Sequence, residues 1–257
     1  MMIPVSLYDE IEITRARPGE KCTGGLTVTC DHPLVPSGKK NLAYQAASLL
    51  LKAKGISATV RIHITKKIPV GGGLGGGSSD AAATLHGLKR LFQLRCRPSE
   101  MLSMAASLGA DVPFFLYGHP ARARGIGGEL SPARSLPRLW MVIVFPGFPV
   151  SSRWVYRHLD LKLTKPIENT TVKLSLGDPQ RLKRLLVNDL EKVTIRRYPE
   201  IALIKERLIE EGAAGVLMSG SGSSVFGIFA GEQRAKAASQ RLHREKKTQI
   251  FAVHSLS

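Results

Sequence analysis

Two domains of mixed α+β architecture are what the sequence predicts, on three observations. In the first half a strand pattern runs into a glycine-rich loop and out into a helix. The second half reads helix, helix, strand, turn, strand, helix, strand. Across 257 residues, 43% hydrophobic against 22% charged is the balance of a chain that packs a core.

Each element has a local reason. Residues 5 to 13, from Val5 to Ile13, alternate apolar and polar as a half-buried strand does. The stretch through Lys40 is rich in Gly, Pro and Thr and reads as connection. Asn41 to Ala53 places Leu42, Ala46, Leu49, Leu50 and Ala53 at helical spacing, and Gly55 ends it. Thr59 to Ile64 alternates β-branched residues with Arg61 and His63, a strand. From Ser79 to Phe92 a helix puts Ala82, Leu85, Leu88 and Phe92 on one face, with Ser78 or Ser79 as its cap. Ser99 to Leu108 is a second helix, capped by its serine and closed by Gly109 before a turn at Ala110 to Pro113. A strand pair with a glycine turn at 125 to 128 follows, and the continuous apolar run Trp140 to Phe145 reads as a buried strand. Helices are predicted over Pro179 to Leu190, Pro199 to Glu211 and Gln233 to Lys246. Strands are predicted at Gly215 to Met218, Val225 to Phe229 and the terminal Ile250 to His254. The domain boundary falls near residues 128 to 138, giving domains 1–133 and 134–257.

Composition narrows the classes. With 37 Lys plus Arg against 20 Asp plus Glu the formal charge is +17, which points to an anionic partner. The basic residues come as scattered pairs and triplets (Lys39-Lys40, Lys66-Lys67, Arg196-Arg197, Arg244 to Lys247) without interleaved aromatics, so a nucleic acid is not the expected partner. Cys22, Cys30 and Cys96 form no CxxC pair, which argues against a disulfide framework or zinc site and for a reducing cytoplasm. Met1 to Glu10 lacks the features of a signal peptide. The longest apolar run, Trp140 to Phe148, is broken by Pro146 and falls short of the roughly 18 residues that span a bilayer, so no membrane association is expected.

The chemistry concentrates in Pro69 to Asp80, with six glycines in the seven positions from Gly71 to Gly77, between a strand and a helix. Glycine lets several backbone N–H groups converge on one anion, and the helix N-terminus adds a favourable dipole, so phosphate is the natural guest. A tight packing turn would not need so many residues of high conformational entropy. The run from Gly72 reaches Gly77-Ser78-Ser79 with no lysine, which rules out a Walker A loop. Gly71, Gly73 and Gly76 fit a dinucleotide-binding spacing, but Gln93 to Arg97 supplies no second strand ending in an acid. His63, His86 and His119 have no metal-ligand spacing.

These segments resemble the GHMP kinase superfamily, and within it the 4-diphosphocytidyl-2-C-methyl-D-erythritol kinases. KKIPVGGGLGGGSSDAAATL is similar to that family's ATP loop, LGADVPFFLYGHPARARGIGGEL to its catalytic segment and MSGSGSSVFGIF to its third glycine motif. PGFPVSS at 146 to 152, ENT at 168 to 170 and NDLE at 188 to 191 follow in the family's order. The resemblance implies a ribosomal protein S5 domain 2-like N-terminal domain and a ferredoxin-like C-terminal domain. It implies ATP-dependent phosphorylation of the 2-hydroxyl of 4-diphosphocytidyl-2-C-methyl-D-erythritol in non-mevalonate isoprenoid synthesis, with magnesium, by a monomer or homodimer. Pro69, Val70, Gly71, Gly72, Gly73, Leu74, Gly75, Gly76, Gly77, Ser78 and Ser79 would wrap the triphosphate. Asn41 and Lys66 would sit near the base end, and Asp111 would act on the acceptor alcohol. Gly220 to Ser224 would approach the phosphates or the acceptor from the second domain. Bland alternatives are a helix cap for Asn41 and Asp111, a solvated charge for Lys66 and a plain hairpin for Gly220 to Ser224. The metal ligands are not assigned.

The family also begins with a Lys-Ile-Asn-Leu segment and a later Gly-Tyr-His segment, and neither occurs ahead of VSLYDE. Three expectations stand beside one another: a start assigned too late, a fragment, or a divergent form with reduced activity. The alternative functions are a nucleotide-binding homologue impaired in catalysis and a GHMP kinase for another small alcohol.

Overall fold

In the computed structural model, residues 1–16, 25–125, 129–133, 136–159, 182, 185–242 and 248–256 are described. The chain divides into two compact units, one made of Met1–Pro4, Tyr8–Val70 and Gly75–Ala133, the other of Val5–Leu7, Gly71–Leu74 and Arg134–Ser257.

The first unit is built on a three-stranded sheet of order β1-β3-β2, comprising β1 (Glu10–Arg15), β2 (Leu26–Cys30) and β3 (Val60–Thr65). β3 runs antiparallel to β1, pairing Glu10 with Thr65, and parallel to β2, pairing Leu26 with Val60. Its period-2 pattern sends Val60, Ile62 and Ile64 into the core and leaves Arg61 and His63 exposed. A parallel pair needs a crossover, and α1 (Leu42–Ala53) supplies it. Buried Ala43, Ala46 and Ala47 let α1 pack closely with α2 (Gly76–Leu91), which contributes Ala81, Ala82, Leu85 and Leu88 to the same core. α3 (Pro98–Leu108) and α4 (Val112–Tyr117) follow, then an antiparallel hairpin of β4 (Ala121–Arg124) and β5 (Glu129–Pro132).

Four expectations here need correction. The strand read from Val5 begins only at Glu10, because Val5 bridges Ser255 and the Ser6 amide donates to His254 O at 2.9 Å. The helix read from Ser79 begins at Gly76, capped by left-handed Gly75, and neither Ser78 nor Ser79 caps it. Ser79 Oγ donates instead to Gly76 O at 2.7 Å. The next helix starts at Pro98, so Ser99 lies inside it and makes no cap bond. Finally, the segment read as a turn at Ala110 to Pro113 leads directly into α4.

The second unit carries β6 (Trp140–Phe145), α5 (Ser152–His158), α6 (Leu190–Arg197), α7 (Glu200–Glu210), β7 (Gly215–Met218), β8 (Val225–Phe229), α8 (Glu232–Leu242) and β9 (Gln249–His254). All pairings are antiparallel in the order β7-β8-β6-β9. Strand, helices, two strands, helix, strand in that order is the ferredoxin-like arrangement. Central β6 is apolar throughout because Met141 to Phe145 are all buried. α5 and α6 carry no periodic signal long enough to have been expected. The helix read over Pro179 to Leu190 needs correction too: residues 179–181, 183 and 184 lie outside the described residues, but Leu186 to Asn188 are not helical and Leu190 opens α6, so no helix runs through to Leu190. The ENT segment and the end of the last helix beyond Leu242 lie outside the described residues. Among the described residues no helix is long and apolar enough to cross a membrane.

Candidate functional site

In the first unit a buried ion cluster sits where the glycine loop begins and ends. Lys66 leaves β3 with a side chain only 4% exposed, and its ammonium pairs with Asp9 Oδ2 and, at 3.0 Å, with Asp80 Oδ2 in α2. Asp9 Oδ1 accepts the amides of Lys67 (2.6 Å) and Ile68 (2.8 Å), while Asp31 Oδ1 accepts that of Lys66 (2.9 Å). The backbone entering the loop is thereby pinned by carboxylates. Burial works against the charge on Lys66, but the carboxylates of Asp80 and Asp9 outweigh it and lift its pKa above the ordinary lysine value. Two carboxylates cannot both be matched by one ammonium. Burial, with the nearby Asp9, pushes Asp80 up to about 7 against the pull of Lys66, and Asp80 Oδ1 is buried with no hydrogen-bond partner.

Lys66 is therefore no solvated charge. As a whole residue it is partly exposed while its side chain is not, so what it presents outward is main chain. Asn41 is the N-cap of α1: Oδ1 accepts from the Ala43 amide at 2.8 Å and Nδ2 donates to Pro36 O at 2.9 Å. Pro69 is buried and Val70 half-buried on the way into the glycines.

Past the loop, Gly75 has φ +70 and opens α2. A Cβ there would stand 2.7 Å from the Phe115 ring, and one on Gly76 would stand 3.1 Å from Lys66 Nζ. Glycine thus lets α4 press on the start of α2 and leaves an ammonium against the helix end. The first-turn amides of Gly76, Gly77 and Ser78 are the donors every helix leaves unpaired. These and the α2 dipole together favour an anion.

α4 also carries Asp111 at its N-cap position, where its side chain makes no capping bond. That disposes of the helix-cap alternative. The residue is exposed, its side chain has no hydrogen-bond or ion-pair partner among the described residues, and its carboxyl is pushed up by desolvation. Val112, Pro113 and Phe114 beside it are buried and give it a firm base.

In the second unit, Gly71–Leu74 lies on the turn joining β7 to β8. Gly71 O accepts from the Val150 amide (3.0 Å), Gly72 O from the Ser224 amide (3.0 Å) and Gly73 O from Ser219 Oγ (2.9 Å). A Cβ on Gly73, at φ +75, would run into Ser219 O and stand 2.8 Å from Gly222 O. Three successive carbonyls are tied down, while the amides of Gly72, Gly73 and Leu74 meet no acceptor among the described residues. Of Gly71 to Ser79 only Gly72 is buried. The turn closes through the Ser219 amide on Ser224 O at 2.9 Å, so Gly220 to Ser224 is a hairpin turn and a fastening at once.

Sequence reasoning singled out the loop and Asp111 but gave no role to Asp9 or Asp80. Asp9 lies 57 residues from its lysine, and no local pattern signals such a pair. Among the described residues no three His, Cys, Asp or Glu side chains cluster as a metal site.

A two-unit α+β kinase of small molecules, with a glycine loop opening a helix, is the class that this fold and site define. The family model for the GHMP kinases N terminal domain matches residues 41–119, and that for the GHMP kinases C terminal region matches residues 170–248. The chain belongs to the GHMP kinase family. The 4-diphosphocytidyl-2-C-methyl-D-erythritol kinase of Geobacter metallireducens is 45% identical over 256 residues, covering 100% of this chain and 89% of the relative. The protein of that name from Syntrophotalea carbinolica is 42% identical over 257 residues, with the same coverage. A crystal structure of a 4-(cytidine 5'-diphospho)-2C-methyl-D-erythritol kinase matches with a TM-score of 0.78 and 35% identity, covering 99% of this chain and 89% of that one.

Proposed function

We propose that the chain transfers the terminal phosphoryl group of ATP to the 2-hydroxyl of 4-diphosphocytidyl-2-C-methyl-D-erythritol. The observation that carries the reading is the glycine loop, whose carbonyls at Gly71, Gly72 and Gly73 are occupied while its amides are left to an anion. The names of relatives alike over the whole chain support the substrate.

Phosphoryl transfer through a loose transition state asks the protein for position and charge rather than covalent help. Gly71 to Ser79, following Pro69 and Val70, hold the triphosphate, and the α2 dipole offsets its charge. Asn41 and Lys66 stand at the base end, Lys66 through its main chain because its ammonium is committed. Asp111 orients the acceptor hydroxyl and takes its proton; its raised pKa makes it a better acceptor than an ordinary aspartate.

Magnesium needs only one or two protein carboxylates when phosphate and water complete its shell. The exposed Asp111 side chain, without a partner among the described residues, fits that demand, and it needs no denser cluster, none being found among the described residues. When bound, the ion would neutralise charge on the phosphate oxygens.

The test is a reaction of the purified chain with ATP and this alcohol. Stoichiometric ADP and a product carrying phosphate on O2 are expected. No turnover by a folded chain that binds ATP would overturn the proposal.

A further inference from the structure

Asn188, just ahead of α6, and Glu191 and Thr194 within it follow one another at three-residue spacing, and all three reach the same turn of backbone. Asn188 Nδ2 donates both hydrogens, to Met218 O at 2.9 Å and to Gly220 O at 2.8 Å, while its Oδ1 accepts the Leu190 amide at 3.1 Å. Glu191 Oε1 accepts the Met218 amide at 2.8 Å, with Oε2 held by Lys205 at 2.6 Å. Thr194, wholly buried, donates from Oγ1 to Ser221 O at 3.1 Å.

The consequence is directional. The carbonyls of Met218, Gly220 and Ser221 are all turned toward α6, and the amides of Gly220, Ser221 and Ser223 find no acceptor among the described residues. In a trans peptide an amide and the carbonyl preceding it share one plane and point oppositely, so holding Gly220 O aims the unpaired Ser221 amide, while holding Met218 O and Ser221 O places the Ser219 and Gly222 amides that close the turn on Ser224 O and Ser219 O. The same turn supplies Ser219 Oγ and the Ser224 amide, which hold Gly73 O and Gly72 O. A continuous chain of hydrogen bonds within the second unit thus runs from α6, through the β7–β8 turn, to Gly71–Leu74.

We infer that Asn188 is a positioning residue for the phosphate-facing backbone, with Thr194 as its second point of support. It touches no substrate. Through Gly220 O it sets the direction of the Ser221 amide, and the inference rests on the reading that this amide and those of Gly72 to Leu74 grip a polyphosphate. Asn188 suits this because one carboxamide supplies two diverging donors, enough for two carbonyls, and an acceptor. An aspartate would keep the acceptor that caps α6 and lose both donors.

The experiment measures binding of inorganic tripolyphosphate, of a non-hydrolysable ATP analogue and of adenosine to the full chain and to Asn188→Ala, Asn188→Asp and Thr194→Val, with melting temperatures alongside. Loss of two loop hydrogen bonds is expected to weaken tripolyphosphate and the analogue by about tenfold in both Asn188 variants, with adenosine changed less than about twofold. KM for ATP is expected to rise by a like factor, with kcat changing less. Variants that melt lower yet bind tripolyphosphate as the wild type does would reduce Asn188 to a structural residue and overturn the inference. If Asn188→Ala does not fold, Asn188→Asp and Thr194→Val decide it in the same way. A folded wild type that binds neither tripolyphosphate nor the analogue overturns the kinase reading and this inference together. A wild type that binds both, with unaltered variants, overturns this inference alone.

Discussion

At the base of the glycine loop the fastening is ionic and buried, whereas along Gly71–Leu74 it is neutral and made of backbone and hydroxyls. The base relies on one ammonium between two carboxylates, Asp9 and Asp80. The second set relies on Val150, Ser219 and Ser224 donating to three successive carbonyls. The two kinds of fastening answer different disturbances. A buried ion pair is costly to break from one side and responds to pH. A neutral hydrogen-bond array is indifferent to pH and fails through geometry.

The largest difference is expected from Lys66→Met. It leaves Asp9 and Asp80 buried without their cation, and a loss of about 3–5 kcal/mol in unfolding free energy is expected by urea denaturation. Adding Asp80→Asn should recover part of that loss; no recovery would show that packing, not charge, holds the base. Next comes Gly73→Ala, which strains a positive φ and drives a methyl group toward Ser219 O. A cost of about 1–3 kcal/mol is expected, together with loss of ATP-analogue affinity measured by calorimetry.

Asp80→Asn separates the regions by pH. In the folded chain the Asp80 carboxyl is held up to about 7, facing Lys66 and Asp9, whereas unfolding returns it toward 3.8. Between those values the folded state binds more protons, so this group's contribution to stability falls as pH rises from about 4 through 7 and is flat above. Urea midpoints at pH 5 and pH 8 should show wild type losing ground with rising pH relative to Asp80→Asn. Equal slopes would place the raised affinity for a proton elsewhere. The smallest effect is expected from Thr194→Val, about 1 kcal/mol for one buried hydrogen bond, with no pH dependence.

The glycine loop was legible because six glycines in seven positions have few other uses. Asn41 announced the start of α1 and Trp140 to Phe145 announced β6, both through local patterns. The start of α2 was misplaced for a physical reason. Gly76 and Gly77 are poor helix formers, and the close approach of Phe115 to Gly75 and of Ile68 and Lys66 to Gly76, which favours glycine there, comes from residues distant in the chain. The short α4 follows a turn signal ending in proline, which is favourable in a first helical turn as well as in a loop. The roles of Asp80, Asp9 and Asn188 depend on partners brought together by the fold, 14, 57 and 30 or more residues away in the chain. Spacing carries no trace of such partners.

In the proposed function neither fastening performs the chemistry, which is assigned to Asp111, a carboxylate tied to neither. The most direct measurement is therefore the rate of ATP-dependent phosphorylation of the diphosphocytidyl alcohol by Asp111→Asn beside its affinity for an ATP analogue. A drop in kcat of about 10²–10⁴ with affinity unchanged within about twofold is predicted. A variant that turns over as fast as the wild type, or one that loses ATP binding instead of rate, would contradict the account.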